Sequence, residues 1–322
     1  MADYDGGSAS NFGAGLLDTA HKIQKWAAKK REEEYVAEIN DRLPEGEEPG
    51  TDVRLAPPSV ADRDNDPSWK TWRADILAMY DWIPPLFERF THPDPDSFDI
   101  LIEDMEHAVD ALGSVAMTRM DRVENELGEW KGHARESFLE NIVEPFDGMN
   151  ENHRSLALIL LTSMKTNRKI FEVMQKNIEK IANQTLTHIK GLTYEGGGAS
   201  GDVVLTMFSA VVSVFAAAST GGTSIALTAV SGAAGVASSL PGEEEKPLPL
   251  GANTVDDVLG NMVDAVSWLD SWIDHEERQI VGALSANHDL ASNPSTRRAK
   301  FVPHRPANIP PGELRTGFQP PS

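Results

Sequence analysis

Apolar residues recur at steps of three and four along three long segments of this chain, 96–127, 133–190 and 254–285, and this spacing constrains the fold most. Such steps place apolar side chains on one face of an α-helix, whereas a half-buried strand alternates at every second residue. No segment of five or more residues alternates convincingly in that way between turn signals. The sequence therefore predicts an all-α protein, an elongated helical bundle.

Changes in composition divide the chain into five predicted regions. They are an N-terminal helix with a disordered acidic linker (1–68), a helical hairpin region (69–192), a Gly-rich loop with an apolar hairpin (193–253), a return helix (254–290) and a disordered, Pro-rich basic tail (291–322). In the tail, from residue 297 on, five basic residues and one acidic residue give a local charge of +4.

The charge and residue usage exclude several classes of function. There are 29 Lys and Arg residues and 50 Asp and Glu residues, so the net charge is −21, which argues against a nucleic-acid partner. The chain has no cysteine, which excludes thiolate nucleophiles and Cys-based zinc sites. It also lacks an HExxH or GxSxG motif. We expect no catalytic residues, no metal, no cofactor and no small-molecule substrate.

Residues 203–242 contain no charged side chain, and Gly221 and Gly222 lie near the middle of this run. The halves, 203–220 and 223–240, would each span about 27 Å as a helix, slightly less than a bilayer core. The sequence predicts an apolar helical hairpin here. The candidate membrane residues are Val203, Val211, Val214, Phe215, Gly221, Gly222, Ile225 and Leu227.

The sequence is compatible with three locations of this apolar hairpin. Its many Ala, Ser, Gly and Thr residues suit burial inside a helical bundle. It also has the organisation of a hairpin that is stored folded and later inserts into a membrane, as in helical pore-forming proteins. The third alternative is a permanent membrane hairpin. The sequence alone leaves all three open.

The stretch LGEWKGHARESF at 127–138 lies between the first two helical segments and predicts a tight corner. Gly132 allows close approach and backbone angles that other residues avoid. Trp130 is expected to cap the open end of the bundle and shield its last apolar layer. Ala134 keeps the next helix slim, and Phe138 lies one turn further along the same face.

The pattern of Trp130, Gly132, Ala134 and Phe138 resembles the WXG motif of type VII (ESX-type) secretion substrates of actinobacteria and firmicutes. In that family the motif joins two antiparallel helices, and long relatives of the PPE type carry additional helices. The resemblance covers 96–190. It implies a non-enzymatic protein that binds a partner helical hairpin or itself, and that is secreted or placed at the cell surface from the cytoplasm without a signal peptide.

The family's export signal is a tyrosine followed four positions later by an acidic residue, and no tyrosine in this chain has that neighbour. Trp272 with Glu276 is the nearest relaxed match. The N-terminus has no basic start and no apolar core, so it does not resemble a secretory signal peptide. Insertion of 203–240 into a membrane is the alternative function.

Overall fold

The computed structural model describes residues 7–42, 67–92, 94–193, 202–207, 244–295 and 301–302, and most of them are helical, which confirms the prediction of a mainly α-helical chain. The helices are α1 Gly7–Arg42, α2 Pro67–Met79, α3 Ile83–Glu88, α4 Asp99–Asp110, α5 Ala116–Glu126, α6 His133–Phe138, α7 Glu144–Gly191 and α8 Val255–Ser292. Between α4 and α7, the chain makes π-helical turns at Ala111–Val115 and Leu139–Val143 and a 3₁₀ turn at Leu127–Glu129.

Contacts within the chain group it into two compact units, each discontinuous in sequence. The first unit comprises Met1–Ser97, Arg168–Phe208 and Gly242–His275. The second comprises Phe98–Asn167, Ser209–Pro241 and Glu276–Ser322. Helices α7 and α8 therefore each contribute residues to both units.

In the first unit, α1 packs against α2 and α3. Its buried face has the predicted helical spacing, with residues that are at most 4% exposed at steps of four, three and four: Leu16, Ala20, Ile23 and Ala27. Trp69 at the start of α2 is fully buried. Beside it, the Arg73 guanidinium donates from Nε and Nη2 to the two carboxylate oxygens of Glu32 at 3.0 and 2.9 Å. This bidentate pair fixes the orientation of α2 on α1.

The first unit also contains a two-stranded antiparallel sheet, formed by β1 Asp202–Met207 and β2 Glu244–Pro249. Val204 lies opposite Pro247 and Thr206 opposite Glu245. The backbone groups of Val204 and Thr206 bond outward to α7, where the Val204 carbonyl accepts from Lys180 Nζ at 3.1 Å. Val204 and Pro247 therefore form a non-hydrogen-bonded pair of the antiparallel sheet. The missing N–H of Pro247 removes no hydrogen bond between the two strands.

This sheet corrects the prediction of an apolar helical hairpin over its first residues. Residues 203–207 form a strand rather than the start of a helix, because they pair with β2, and Val203 and Leu205 are buried while Val204 between them is 36% exposed. The other candidate hairpin residues lie outside the described residues: Val211, Val214, Phe215, Gly221, Gly222, Ile225 and Leu227. Within the described part of the chain, no helix has the length and apolar character to cross a membrane.

In the second unit, α4 lies beside the N-terminal half of α7. Their shared core is a cluster of buried apolar side chains: Ile102, Val109, Ala157 and Leu161. Contacts at the edges of this cluster run in opposite chain directions. Glu106 pairs with Lys165 at 2.6 Å, whereas Leu112, further along the chain, accepts a hydrogen bond from the earlier residue Asn150. The two segments are therefore antiparallel where they meet.

Candidate functional site

The corner between α5 and α6 is held by hydrogen bonds to backbone carbonyls. The 3₁₀ turn ends at Trp130, whose N–H donates to the Leu127 carbonyl at 3.1 Å. Helix α6 then opens with Arg135 N–H donating to the Gly132 carbonyl at 3.1 Å. The Arg135 side chain donates from Nε to the Leu127 carbonyl at 2.9 Å. Arg135 thus ties the start of α6 to the preceding turn, a role that the sequence pattern did not indicate.

Gly132 has φ 97° and ψ −178°, a backbone region that is essentially restricted to glycine. A Cβ atom placed on this residue would meet no atom within 4 Å. Glycine is therefore required here by its backbone angles. It is not required by a close approach of two helix ends, which was the other expectation for this position.

The Trp130 side chain is 49% exposed, which differs from the expectation that its ring shields the last apolar layer of a bundle. The reason is that there is little apolar layer to shield, since neither α5 nor α6 has a buried residue in the described structure. Of the other motif residues, Ala134 is exposed and Phe138 is half-buried. The motif forms a tight corner whose largest side chain faces outward.

Helix α5 has an apolar face with little cover in the described structure. Val123 is 37% exposed, and Val115, just before the helix, is 44% exposed. Two half-buried residues, Ala116 and Met120, lie between them at helical spacing. In proteins most helical stability comes from packing an apolar face, and this face of α5 is only partly covered. The exposed face of α5 therefore has the character of a binding surface.

Side chains from α5 and α7 line a groove of about 370 Å³ along this face. We call its apolar lining the apolar strip: Val115, Ala116, Met120, Val123 and Phe146. Ala111 and Arg119 complete the groove. The strip leads along α5 towards the corner that carries Trp130.

At its other end the apolar strip continues into a second cavity of about 470 Å³, which we call the Phe301 pocket. It shares Ala116, Met120 and Phe146 with the strip. The remaining residues around it are Leu112, Ile142, Met149, Asn150, His153 and Phe301. Phe301 itself is 9% exposed, and its ring centroid lies 5.5 Å from that of His153. Phe301 follows α8 in sequence, in the region predicted as a disordered tail, and sequence periodicity gave no sign of this contact.

The relaxed export-signal candidate lies on α8, where Trp272 is 9% exposed and Glu276 is 5% exposed. Both side chains are therefore buried in this fold.

A cluster of buried polar groups at the start of α8 has a structural explanation. The Glu34 carboxylate accepts from the Val255 N–H at 3.0 Å and from Arg31 Nη1 at 2.8 Å, which satisfies a donor at the helix N-terminus. Tyr80 Oη lies 3.5 Å from an Asp256 carboxylate oxygen. Burial, and then the negative charge of Asp256, raises the pKa of Tyr80 well above its usual range, so the phenol stays protonated and can donate. Among the described residues, no group of three or more His, Asp or Glu side chains is placed to hold a metal ion.

The corner and the apolar strip are therefore the candidate functional site, because they combine a constrained backbone with uncovered apolar side chains. Comparison of the chain with models of known protein families, with curated proteins and with solved structures found no match.

Proposed function

We propose that this protein acts by binding a helical protein partner along the apolar strip and that it catalyses no reaction. The observation that carries the proposal is α5, a helix with no buried residue in the described structure and with one apolar face lining a groove. A partner that covered this face would supply the packing that α5 lacks.

The spacing of the apolar residues in the strip favours a helix of the partner as the element that covers them. Within the strip, the apolar residues at 116, 120 and 123 follow steps of four and three. This is the repeat by which one helix packs lengthwise against another, and an amphipathic helix laid in a groove is read through the same steps. Residues 98–167 carry 14 acidic and 6 basic side chains, a net charge of −8. Like charges repel, so a second copy of the chain is disfavoured and we infer a different, less acidic partner.

The resemblance to the WXG family supports the same proposal. Its motif residues lie at the corner, Gly132 has glycine-only backbone angles, and α4 meets α7 in the antiparallel sense of a helical hairpin. We therefore propose a WXG-like hairpin built from α4–α5 and α6–α7. Members of that family pair with helical hairpins, which is the class of partner that the strip fits.

Placing a charge in the strip is expected to weaken partner binding strongly while the fold is retained. The partner is first identified by cross-linking a tagged chain in its source cells, and it is then purified. Val123→Glu should weaken binding to the purified partner by about 30-fold or more, since a charged carboxylate would replace an apolar contact in the interface and lose its water. Titration calorimetry measures the affinity, and circular dichroism checks the helix content.

The matched control is Val281→Glu, because Val281 lies on α8 outside the strip and is 64% exposed. It should bind the partner like the unchanged chain. Equal affinities for V123E and V281E would show that the partner uses another surface, and the proposal would be abandoned.

We also propose that the protein leaves the cell through a type VII system, as the resemblance implies. Deleting a core component of that system in the source organism should remove the protein from the culture medium and leave it in the cell pellet. Quantitative immunoblotting of both fractions measures the change, with a cytoplasmic enzyme as the lysis control. Unchanged export in the deletion strain would contradict this route.

A further inference from the structure

Phe301 is an aromatic residue buried at one end of the proposed binding surface. It is 9% exposed, although it belongs to a Pro-rich, basic part of the chain with no predicted core. The cavity that it lines is mostly apolar, and Met120, Ile142, Phe146 and Met149 form other parts of its wall. A phenylalanine side chain is a large apolar group, and removing it from water favours this contact.

The Phe301 pocket and the apolar strip are adjacent parts of one surface, because Ala116, Met120 and Phe146 line both. A helix laid along the strip would pass over these three residues. An aromatic or aliphatic anchor on that helix would then meet the Phe301 side chain, which already lies against the same cavity. Buried anchors of this type account for most of the affinity in many protein interfaces.

Charge complementarity favours the same contact. Residues 296–322 contain five basic residues and one acidic residue, a net charge of +4, whereas the helices of residues 98–167 have a net charge of −8. Opposite net charges raise the local concentration of one segment around the other, and salt screens this attraction. The chain around Phe301 therefore has both an apolar anchor and a favourable charge for this surface.

We propose that Phe301 and the basic chain around it form an intramolecular ligand of the apolar strip, which a partner must displace before it can bind. The inference rests on the proposed function, since it concerns the regulation of the same surface. Its physical basis is effective concentration, because a segment tethered to the surface that it binds competes at roughly millimolar levels. Weak partners are then excluded while strong ones displace Phe301.

The test uses the full chain and a labelled peptide with the sequence of residues 296–307, TRRAKFVPHRPA. In the unchanged protein, the buried Phe301 side chain occupies the place that the phenylalanine of the peptide would take, whereas Phe301→Ala vacates that place. Fluorescence anisotropy should show at least about tenfold tighter binding to F301A than to the unchanged chain. Raising the ionic strength from about 0.01 M to about 1 M, which shortens the Debye length from about 30 to about 3 Å, should weaken the binding.

Three controls test whether the gain in peptide affinity arises at the site of Phe301. Val302→Ala, at a neighbouring residue that is 39% exposed, should behave like the unchanged chain. The peptide carrying F301A should not bind, and the double variant F301A/M120E should lose the gained affinity. If circular dichroism shows that F301A has lost helix, Phe301→Leu replaces it and must still bind the peptide more tightly than the unchanged chain.

Equal peptide affinity for the unchanged chain and the Phe301 variant would overturn the inference, as would binding that M120E does not affect. Because the probe is the chain's own segment, neither result depends on the partner used to test the proposed function. A failure of V123E to disrupt the partner complex would likewise leave the peptide result intact.

Discussion

Replacing Asn177 with alanine is expected to lower the free energy of unfolding by about 2–4 kcal/mol, because each buried polar group left without a partner costs about 1–3 kcal/mol. Asn177 is fully buried on α7 and bonds twice to one residue of β1. Its Nδ2 donates to the Thr206 carbonyl at 2.6 Å, and the Thr206 N–H donates to its Oδ1 at 2.9 Å. Alanine would leave both backbone groups of Thr206 without these partners. Urea unfolding followed by circular dichroism measures the change.

Asn183 is the matched control for this substitution, because it is also an asparagine of α7 but its side chain is exposed. Asn183→Ala should change the free energy of unfolding by less than about 0.5 kcal/mol, the usual range for a surface substitution. If both alanine variants unfold at the same urea concentration, the bonds between α7 and β1 do not stabilise the protein in solution.

The helices of this protein could be predicted from sequence because their buried faces repeat locally. On α7, Ile170, Met174, Ile178 and Ile181 follow steps of four, four and three, and each is at most 3% exposed. This regularity arises within one helix and needs no knowledge of distant residues. The mainly helical character follows from it.

The two strands could not be predicted in the same way. In β1 the exposed residue Val204 is as apolar as its buried neighbours, so the period-two signal is lost within a long uncharged run. In β2, Pro247 and Pro249 resemble chain breakers, yet they occupy outward-facing positions where no ladder donor is needed. These strands are specified by their pairing with each other and with Asn177, which lies far away in sequence.

The candidate site likewise has one feature that the sequence predicted and two that it did not. The corner itself was marked by Gly132, since only glycine readily adopts its backbone angles. The exposure of Trp130 depends on which elements lie around it, and the burial of Phe301 depends on residues 112–153. Neither property depends on neighbouring residues in the sequence alone. For that reason the sequence predicted that Trp130 caps a bundle and that the chain around Phe301 is a disordered tail.

Replacement by alanine should destabilise the protein strongly at Trp69 and only slightly at Trp130. Trp69→Ala is expected to lower the free energy of unfolding by about 3–5 kcal/mol, since it would leave a cavity in a core position with no exposed surface. It would also remove an edge-to-face contact with Trp72, whose ring centroid lies 5.0 Å away, and a cation–π contact with Arg73 at 5.8 Å. Trp130→Ala should change the free energy by less than about 1 kcal/mol, because the ring is half exposed. Thermal and urea unfolding of both variants measure the contrast.

The effect of W130A on stability distinguishes a corner that is buried in the fold from a corner that is part of a binding surface. A large destabilisation by W130A, similar to that of W69A, would mean that the Trp130 ring is buried in solution. An exposed corner would then no longer support the apolar strip as a binding surface. A small effect means that the fold does not need this side chain, while exposing it to water remains unfavourable. A half-exposed tryptophan at the end of an uncovered apolar strip is then best explained as part of the surface that the partner covers, and W130A should weaken the purified complex while leaving the free protein as stable as before.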